Sequence, residues 1–363
     1  MRGEVDPQSS MFHYFSVESR IPADHPLRRV KKLAESALSA ISAELDGLYA
    51  RTGRPSIPPE RLLKAQLLIA FYSVRSDRLF CEQLDYNLLF RWFLDLDLES
   101  GGLDQSNFSR LRERLVETDI ARRFFDEVVR LARKDKLLSS DHFTVDGTLI
   151  DAWASFKSFK RKDDDEPPKP GDGTGMVDFK GEKRSNATHQ STTDPDAKLM
   201  RKGNGQPAKL SYGGHALMEN RSGLCVDLLI TDATLAEHQA ARQLLTRARR
   251  RKIHPKTLGA DKGYHVKDFV QHLREHGIKP HIARIDGRKT PGLDGRTSCT
   301  EGYKISQRKR KRVEEIFGWL KTVGGMRKTR FIGEARTQIA AYLSAAAYNL
   351  LRIAKLQSAG SAA

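Results

Sequence analysis

The stretch HFTVDGTLI, His142 to Ile150, is the point at which the sequence changes its periodicity. Apolar Phe143 and Val145 alternate with polar residues, which is typical of a β-strand with two unlike faces. Asp146 falls on the opposite face from these two, although aspartate is a poor strand former, and Gly147 leaves room for another chain or a ligand. Asp146 is therefore either a functional residue in mid-strand or an aspartate that caps a turn.

Upstream of this stretch, from Pro26 to Lys136, the sequence is patterned as helices, as in ERLLKAQLLIAFYSV and RLFCEQLDYNLLFRWFL. The Gly101-Gly102 break precedes a short basic helix, NFSRLRERL, a pattern that is similar to a helix-turn-helix and also to an ordinary packing unit. We predict that residues 1–138 form a helical DNA-binding domain. Its candidate DNA contacts are Arg110, Arg112 and Arg114.

Downstream, the element order is three strands, helix, strand, helix, strand, helix. The next two strands are LSYGGHALMEN and LCVDLLITDA, and the later ones lie in KTLGADKGY and KPHIARI. This order predicts an antiparallel meander extended by parallel strands. It is the order of the ribonuclease H-like fold, so we predict an α/β protein with a mixed-sheet catalytic domain over residues 139–356.

Two segments of this domain are expected to lack regular structure. Residues from about 157 to 209 are rich in proline, glycine and charge, and we predict a flexible insertion there. Residues 357–363 are predicted to form a disordered tail.

Two further acidic residues are candidates for the same site as Asp146. Asp261 ends the strand in TLGADKGY, and ligands of such sheets collect beyond the carboxyl ends of strands, although an Asp-x-Gly turn is the alternative. In RKRKRVEEIFGWLK, residues 308–321, a helical wheel puts Glu314 at the rim of the buried face and Glu315 almost opposite that face. We therefore predict that Glu314, rather than Glu315, takes part in chemistry.

The cations of the same segment break local helix rules. If Ser306 caps the helix, Arg308 to Arg312 lie in its first turns, where positive charge opposes the helix dipole. Gly318 costs about 1 kcal/mol relative to alanine. Broken local rules indicate a functional site, and a bound phosphate backbone would pair with these cations. The alternative is a solvated charged face.

Carboxylates that converge from two strands and a helix form an oxygen-rich site suited to Mg²⁺ or Mn²⁺. Two such ions about 4 Å apart can activate a water and stabilise the leaving oxygen of a phosphodiester. The predicted catalytic and metal-binding residues are Asp146, Asp261 and Glu314.

Composition narrows the class of protein. The net charge of +17 and the pI of about 9.8 favour a polyanionic partner, most simply nucleic acid, over a basic protein that is merely soluble. The three cysteines show no zinc-site spacing and favour a reducing compartment. The longest apolar stretch, residues 339–351, is too short to span a bilayer. We expect a cytoplasmic, nucleoid-associated protein with no membrane partner.

Long motifs throughout the chain carry a family resemblance. They include GRPSIPPERLLKA, TVDGTLIDAWASFKSF, GNGQPAKLSYGGHALMEN, TLGADKGY and RVEEIFGWLKTVGGMRKTR. With these motifs the chain resembles bacterial insertion-sequence transposases of the DDE type, in particular the insertion-sequence-five group. The resemblance implies that Asp146, Asp261 and Glu314 are the catalytic triad of a ribonuclease H-like core.

The related insertion-sequence-four group has a signature around its glutamate: Tyr, two residues, Arg, three residues, Glu, six residues, Lys. Arg310, Glu314 and Lys321 fit this spacing, whereas Gln307 stands at the tyrosine position. The resemblance implies that Arg310 and Lys321 hold phosphates near the metals. The other candidate DNA contacts of this segment are Arg308 and Arg312.

The function implied is a DNA transposase. It would bind the terminal inverted repeats of an element, cut its ends with water as nucleophile, and join the freed 3′-hydroxyl to target double-stranded DNA. Pairing of two ends implies a homodimer or larger assembly. Two alternatives stay open: a nuclease of the same fold that cuts without joining, and an inactive DNA-binding repressor derived from a transposase.

Overall fold

The computed structural model describes residues 16–47, 56–162 and 184–360. Within these ranges every element before the first strand is a helix, as predicted. The helices are α1 (Val17–Arg20), α2 (Leu27–Ala40), α3 (Ser42–Asp46), α4 (Pro59–Phe71), α5 (Asp77–Tyr86), α6 (Leu88–Phe93), α7 (Gln105–Glu117) and α8 (Ile120–Lys134). Local signals set their starts: Ser76 Oγ accepts from Leu79 N at the start of α5, and Asp104 accepts from Asn107 N at the start of α7.

Strands and helices then alternate. The elements are β1 (His142–Asp151), β2 (Phe159–Arg161), β3 (His189–Ser191), β4 (Lys198–Met200), β5 (Lys209–Glu219), β6 (Leu224–Asp232), α9 (Glu237–Arg250), β7 (Thr257–Ala260), α10 (Lys267–Glu275), β8 (Lys279–Ile282), α11 (Gly295–Ser298), α12 (Glu301–Lys309), α13 (Val313–Thr322) and α14 (Glu334–Gly360).

The main sheet has the spatial order β6-β5-β1-β7-β8, and β4 pairs with the first residues of β5. The pairs β1–β5 and β5–β6 are antiparallel, whereas β1–β7 and β7–β8 are parallel. An antiparallel meander extended on one side by parallel strands is the ribonuclease H-like arrangement, so the predicted fold class is confirmed.

The register of the central strands positions two acidic residues. Thr144 of β1 lies opposite Gly259 of β7 in parallel register. Continued by two residues, this register brings Asp146 level with Asp261, the residue that follows the end of β7. Neighbouring residues in register point to the same face of a sheet, so both carboxylates belong to one face.

Helix α14 joins the helical region to the sheet. It packs against α2, α4 and α8 on one side and against β6 on the other. Two of its amides bond the backbone of β6: Asn349 accepts from Cys225 N (2.9 Å) and donates to Cys225 O (2.7 Å), while Gln338 accepts from Ile230 N (2.7 Å). One continuous apolar core therefore runs through both regions.

Regular structure extends further than the sequence predicts. Within the segment 157–209, β2 pairs with β3 and β4 joins the main sheet, so the described part of the predicted insertion contains three short strands. The reason is a buried polar anchor: the Tyr212 hydroxyl contacts both carboxylate oxygens of Asp194, at 2.6 and 2.7 Å. Residues 163–183 of the predicted insertion lie outside the described residues.

The C-terminal end shows a similar difference. Helix α14 continues through Gly360, so residues 357–360 of the predicted disordered tail are helical. The side chain of Gln357 donates to Asp135 (2.8 Å) and ties this last turn to the end of α8. Residues 361–363 lie outside the described residues. None of the described helices combines the length and the apolar character needed to cross a membrane.

Candidate active site

Asp146, in β1, and Asp261, which follows β7, lie on the same face of the sheet. Asp146 Oδ1 accepts from the backbone N–H of Gly147 (2.9 Å), and Asp261 Oδ1 accepts from that of Gly263 (2.8 Å). Asp261 therefore does form the Asp-x-Gly turn that the sequence allowed, and the turn holds its carboxylate beside β1. Both aspartates are half-buried, and neither has an ion pair with a cation of the described residues.

The pKa of Asp146 depends on the charges of the other two predicted carboxylates. Its pKa is raised from 3.8 to about 6, chiefly by burial, and the negative charges of Asp261 and Glu314 raise it further. The backbone N–H of Gly147 and the positive charge of Arg310 oppose this rise. The structure thus brings Asp261, Glu314 and Arg310 within electrostatic reach of Asp146.

The two glutamates of helix α13 have different surroundings. Val313, Ile316, Phe317 and Leu320 form its buried face, as the helical wheel predicts. Glu315 lies 3.5 Å from Arg352 and 3.9 Å from Arg312, so it is occupied by surface ion pairs. Glu314 is exposed and has no hydrogen bond or ion pair within the described part of the chain. Its carboxylate is therefore available for a ligand.

The predicted single helix around the cations is wrong. Helix α12 begins at Glu301 and is capped by Thr300, whose hydroxyl accepts from Tyr303 N (3.2 Å), and a 3-10 turn over Arg310–Arg312 separates it from α13. Ser306 is not a cap but a buried side chain that contacts His142. Arg308 consequently lies in the last turn of α12, where a cation is favourable for the helix dipole.

Arg310 and Lys321 flank Asp146 on the same face of β1. A methyl group at position 259 would lie 3.3 Å from Arg310 Cβ and 3.3 Å from Thr144 Oγ1, so Arg310 packs over this face. Its Nε donates to Gln307 Oε1 (3.1 Å). Lys321 Nζ donates to Thr148 Oγ1 (2.5 Å), and burial lowers the pKa of Lys321.

Gln307, at the signature position where tyrosine is expected, has a structural role. Its Nε2 donates to the carbonyl of His281 in β8, and its Oε1 holds Arg310. The glutamine thus connects the edge of the sheet to a cation of the candidate site.

The remaining predicted DNA contacts are placed differently. Arg312 donates to the carbonyls of Asn220 (2.6 Å) and Arg221 (2.8 Å). Arg112 pairs with buried Asp77. Arg308 is exposed, 3.7 Å from Glu301. Arg110 and Arg114 lie on α7: Arg110 contacts Asn107 (2.9 Å), and Arg114 is exposed.

Comparison with known proteins agrees with this geometry. Residues 179–350 match the family described as Transposase DDE domain, and residues 15–114 match the Transposase domain DUF772. The chain is a DDE transposase. It is therefore an enzyme that cleaves DNA and transfers strands. The DDE-domain match covers Asp261 and Glu314 and begins after Asp146.

Solved transposase structures are similar to the transposase at low identity. A synaptic complex of piggyBac transposase with hairpin DNA has 12% identity and a TM-score of 0.44, covering 93% of this chain and 76% of that one. A Mos1 transposase paired-end complex with the left transposon end has 12% identity and a TM-score of 0.22, covering 84% and 82%. A Mos1 mariner paired-end complex with Mn has 14% identity and a TM-score of 0.21, covering 87% and 91%. No curated protein matches the chain.

The sequence analysis did not identify a further acidic residue near Asp146 and Asp261. This residue is Glu237, the first residue of α9. Burial raises its pKa from 4.5 to about 7, and the charges of Asp261 and Asp146 raise it further. In the sequence it looks like an acidic residue at a helix N-terminus, which the helix dipole alone would explain. Only the structure shows that it faces the two aspartates.

A metal ion fits the chemistry of this region. Aspartate and glutamate oxygens are the ligands that Mg²⁺ and Mn²⁺ prefer. The Tyr264 hydroxyl is buried without a hydrogen-bond partner, and burial raises its pKa, as do the charges of Glu237, Asp146 and Asp261. Within the described residues, no three His, Cys, Asp or Glu side chains stand close enough to hold one ion as they are now placed. Binding of one ion by three of these side chains would therefore require them to rotate toward it.

Proposed function

We propose that the transposase cuts and joins DNA with Asp146, Asp261 and Glu314 as its catalytic triad. The observation that carries this proposal is the pairing of Asp146 and Asp261 on neighbouring parallel strands, with no cation of the described residues bound to either. Glu314 completes the set because its charge acts on Asp146. Carboxylates left without a protein cation at the end of a central strand favour a bound divalent metal.

The residues around the triad suit a phosphodiester substrate. Mg²⁺ or Mn²⁺, as two ions when bound, would supply Lewis-acid stabilisation of the attacking and leaving oxygens. Asp146 and Asp261 hold their positions through the N–H groups of Gly147 and Gly263. Arg310, oriented by Gln307, and Lys321 then contact the phosphates on either side of the cleaved bond.

The wider surface suits DNA. The net charge is +17, and we infer that the helical region binds the terminal inverted repeats of an insertion sequence of the insertion-sequence-five group. Arg110 and Arg114 of this region, together with Arg308 of α12, are the candidate phosphate contacts. Pairing of two ends would require a dimer or larger assembly, in the bacterial cytoplasm on nucleoid DNA.

The test is a cleavage assay on labelled DNA that flanks the coding sequence, with Mg²⁺ or Mn²⁺ and the cut mapped to the nucleotide. We expect cuts at the element ends, and joined product when pre-cleaved ends are supplied with target DNA. Cleavage without joining would instead indicate a nuclease.

Asp146→Asn should still bind the ends but no longer cut them. The matched control is Asp151→Asn in the same strand, because Asp151 is paired with Lys209 (2.8 Å) and has no predicted role in cleavage. Cutting that survives in Asp146→Asn would contradict the assignment of the triad.

A further inference from the structure

Glu237 lies between the two segments that carry the paired aspartates. A methyl group built at Gly147 would lie 2.6 Å from Glu237 Oε1. A methyl group at Gly263 would lie 3.4 Å from Glu237 Oε2 and 3.1 Å from Asp261 Oδ1. One oxygen of Glu237 therefore approaches the backbone beside Asp146, and the other approaches the turn that holds Asp261.

This close approach explains why position 147 is a glycine. Any side chain there would meet the Glu237 carboxylate, and it would also lie 3.2 Å from His215 Nδ1 on β5. The room that Gly147 leaves in the strand is thus used by an acidic side chain of the same protein.

Glu237 differs from a carboxylate with a purely structural role. It has no hydrogen bond and no ion pair within the described ranges, although it is only partly exposed. Buried carboxylates are normally paired or hydrogen-bonded because an isolated buried charge is costly. Within the described residues, two nearby buried polar atoms also have no hydrogen-bond partner: the hydroxyl oxygen of Tyr264, which is 0% exposed, and Nδ1 of His215, which is 3% exposed.

The Tyr264 hydroxyl points to a ligand independently of the carboxylates. It belongs to the turn that follows Asp261, and it lies close enough to Glu237, Asp146 and Asp261 for each charge to act on it. A buried hydroxyl without a partner is rare in folded proteins. Its position beside three carboxylates suits a hydrogen bond to a ligating oxygen or to a metal-bound water.

We propose that Glu237 is a fourth carboxylate of the active site and binds a divalent cation together with Asp146 and Asp261. The inference rests on the proposed function, since it adds a residue to the same metal site. Glu237 and Glu314 come from helices α9 and α13, which pack near β1. An ion beside Asp146, at the end of β7, would thus draw ligands from both helices as well as from the strands.

The test measures metal binding directly, without DNA and without turnover. Mn²⁺ is titrated into the full chain, and the free ion is followed by electron paramagnetic resonance. Glu237→Gln should bind Mn²⁺ at least about tenfold more weakly than the wild type, and Tyr264→Phe about tenfold more weakly. The matched control is Glu315→Gln, whose carboxylate is held by Arg352 and Arg312, and it should bind Mn²⁺ as the wild type does.

A second variant covers the case in which Glu237→Gln does not fold. Gly147→Ala keeps all four carboxylates, and its methyl group displaces only the flexible end of Glu237 and the ring edge of His215. It should retain the wild-type unfolding midpoint and yet bind Mn²⁺ several-fold more weakly.

The outcomes separate this inference from the proposed function. Weak Mn²⁺ binding in Asp146→Asn together with wild-type binding in Glu237→Gln and Gly147→Ala would overturn the fourth carboxylate and leave the triad in place. Unchanged binding in Asp146→Asn and Asp261→Asn would overturn the metal site itself. Weakened binding in Glu237→Gln, with Glu315→Gln unaffected, would support the proposal.

Discussion

Asp146 and Asp227 lie in two strands of the same sheet, but within the described residues only Asp227 forms an ion pair. Asp227, in β6, is 2% exposed and lies 2.8 Å from a guanidinium nitrogen of Arg251. The same Arg251 also pairs with Asp126 of α8 at 2.6 Å. Asp146, in β1, is partly buried too, but within the described residues its neighbours of opposite sign stop short of an ion pair.

The difference supports the proposed role of Asp146. A buried charge must be compensated, and around Asp227 the fold supplies the cation from its own sequence. Around Asp146 the charges of Asp261 and Glu314 have the same sign as its own, and Arg310 acts on it without forming an ion pair within the described residues, so a cation from outside the chain can supply the compensation. A divalent ion is the simplest source, because one ion offsets two charges.

The largest effect that can test this comparison is on cleavage. Asp146→Asn and Asp261→Asn should each lower the rate of DNA cleavage at least about a thousandfold, which corresponds to about 4 kcal/mol of transition-state stabilisation. Their free energies of unfolding should not fall, because neither aspartate is ion-paired in the fold. The measurements are single-turnover cleavage and urea unfolding of the same variants. A loss of activity that is explained entirely by unfolding would contradict the difference proposed between Asp146 and Asp227.

For the ion pair of Asp227 in β6, we expect a loss of stability and little change in cleavage. Arg251→Met leaves Asp227 buried without its partner and should lower the free energy of unfolding by about 3 kcal/mol, with little change in cleavage per folded molecule. Urea denaturation measures this, and Arg250→Met, which replaces an exposed cation one residue away, serves as the control. Equal stability of the two variants would show that Asp227 does not depend on Arg251.

The pH dependence of stability gives a further test of the surroundings of Asp146. The pKa of Asp146 is about 6 in the folded, metal-free protein against a reference value of 3.8. Between these values the folded protein keeps a proton that the unfolded chain has released, so the free energy of unfolding falls as the pH rises from about 4 to about 6. The raised pKa of Glu237 acts in the same direction up to about pH 7.

The expected loss from Asp146 is on the order of 2 kcal/mol, after allowance for its partial exposure. Thermal unfolding in a chelator should show it, Asp146→Asn should reduce it, and added Mn²⁺ should oppose it. A change of stability between pH 4.5 and pH 7 that is the same in the wild type and in Asp146→Asn would contradict the raised pKa, because the lowered pKa values of His142 and His215 act in the opposite direction in both proteins.

The smallest effect concerns the arginines. Arg308→Ala removes an exposed cation and should weaken DNA binding by only a few-fold, alike for all sequences, with a salt slope about 1 lower. Arg112→Ala should instead act on stability, because Arg112 pairs with Asp77. Filter binding at several salt concentrations distinguishes them; a stronger loss of DNA binding in Arg112→Ala would mean that α7 uses this side chain on DNA.

Much of the fold was predictable from local patterns. The change of period at His142 locates β1, and the alternation of strands and helices after it gives the sheet order. Asp146 stands out because a poor strand former occupies a strand, and the wheel of α13 separates Glu314 from Glu315. These predictions rest on side-chain period and chemistry, which the sequence displays directly.

The rest depends on contacts between distant segments. No glycine or proline in the neighbouring sequence indicates the 3-10 turn at Arg310, which forms where Ser306 is buried against His142. The order within residues 184–209 depends on the bond between Asp194 and Tyr212. Glu237 joins the aspartates only because α9 returns across Gly147, and a single sequence does not show that approach.

The two edges of the sheet have a consequence for how several copies of this protein come together. On β6 the backbone of Cys225 and Ile230 is bonded by amides of α14, and on β8 the carbonyls of His281 and Ile282 accept from Gln307 and Tyr303 of α12. Backbone groups that are already bonded do not recruit a strand from a second molecule. Copies gathered on one stretch of DNA are therefore not expected to pair through β6 or β8.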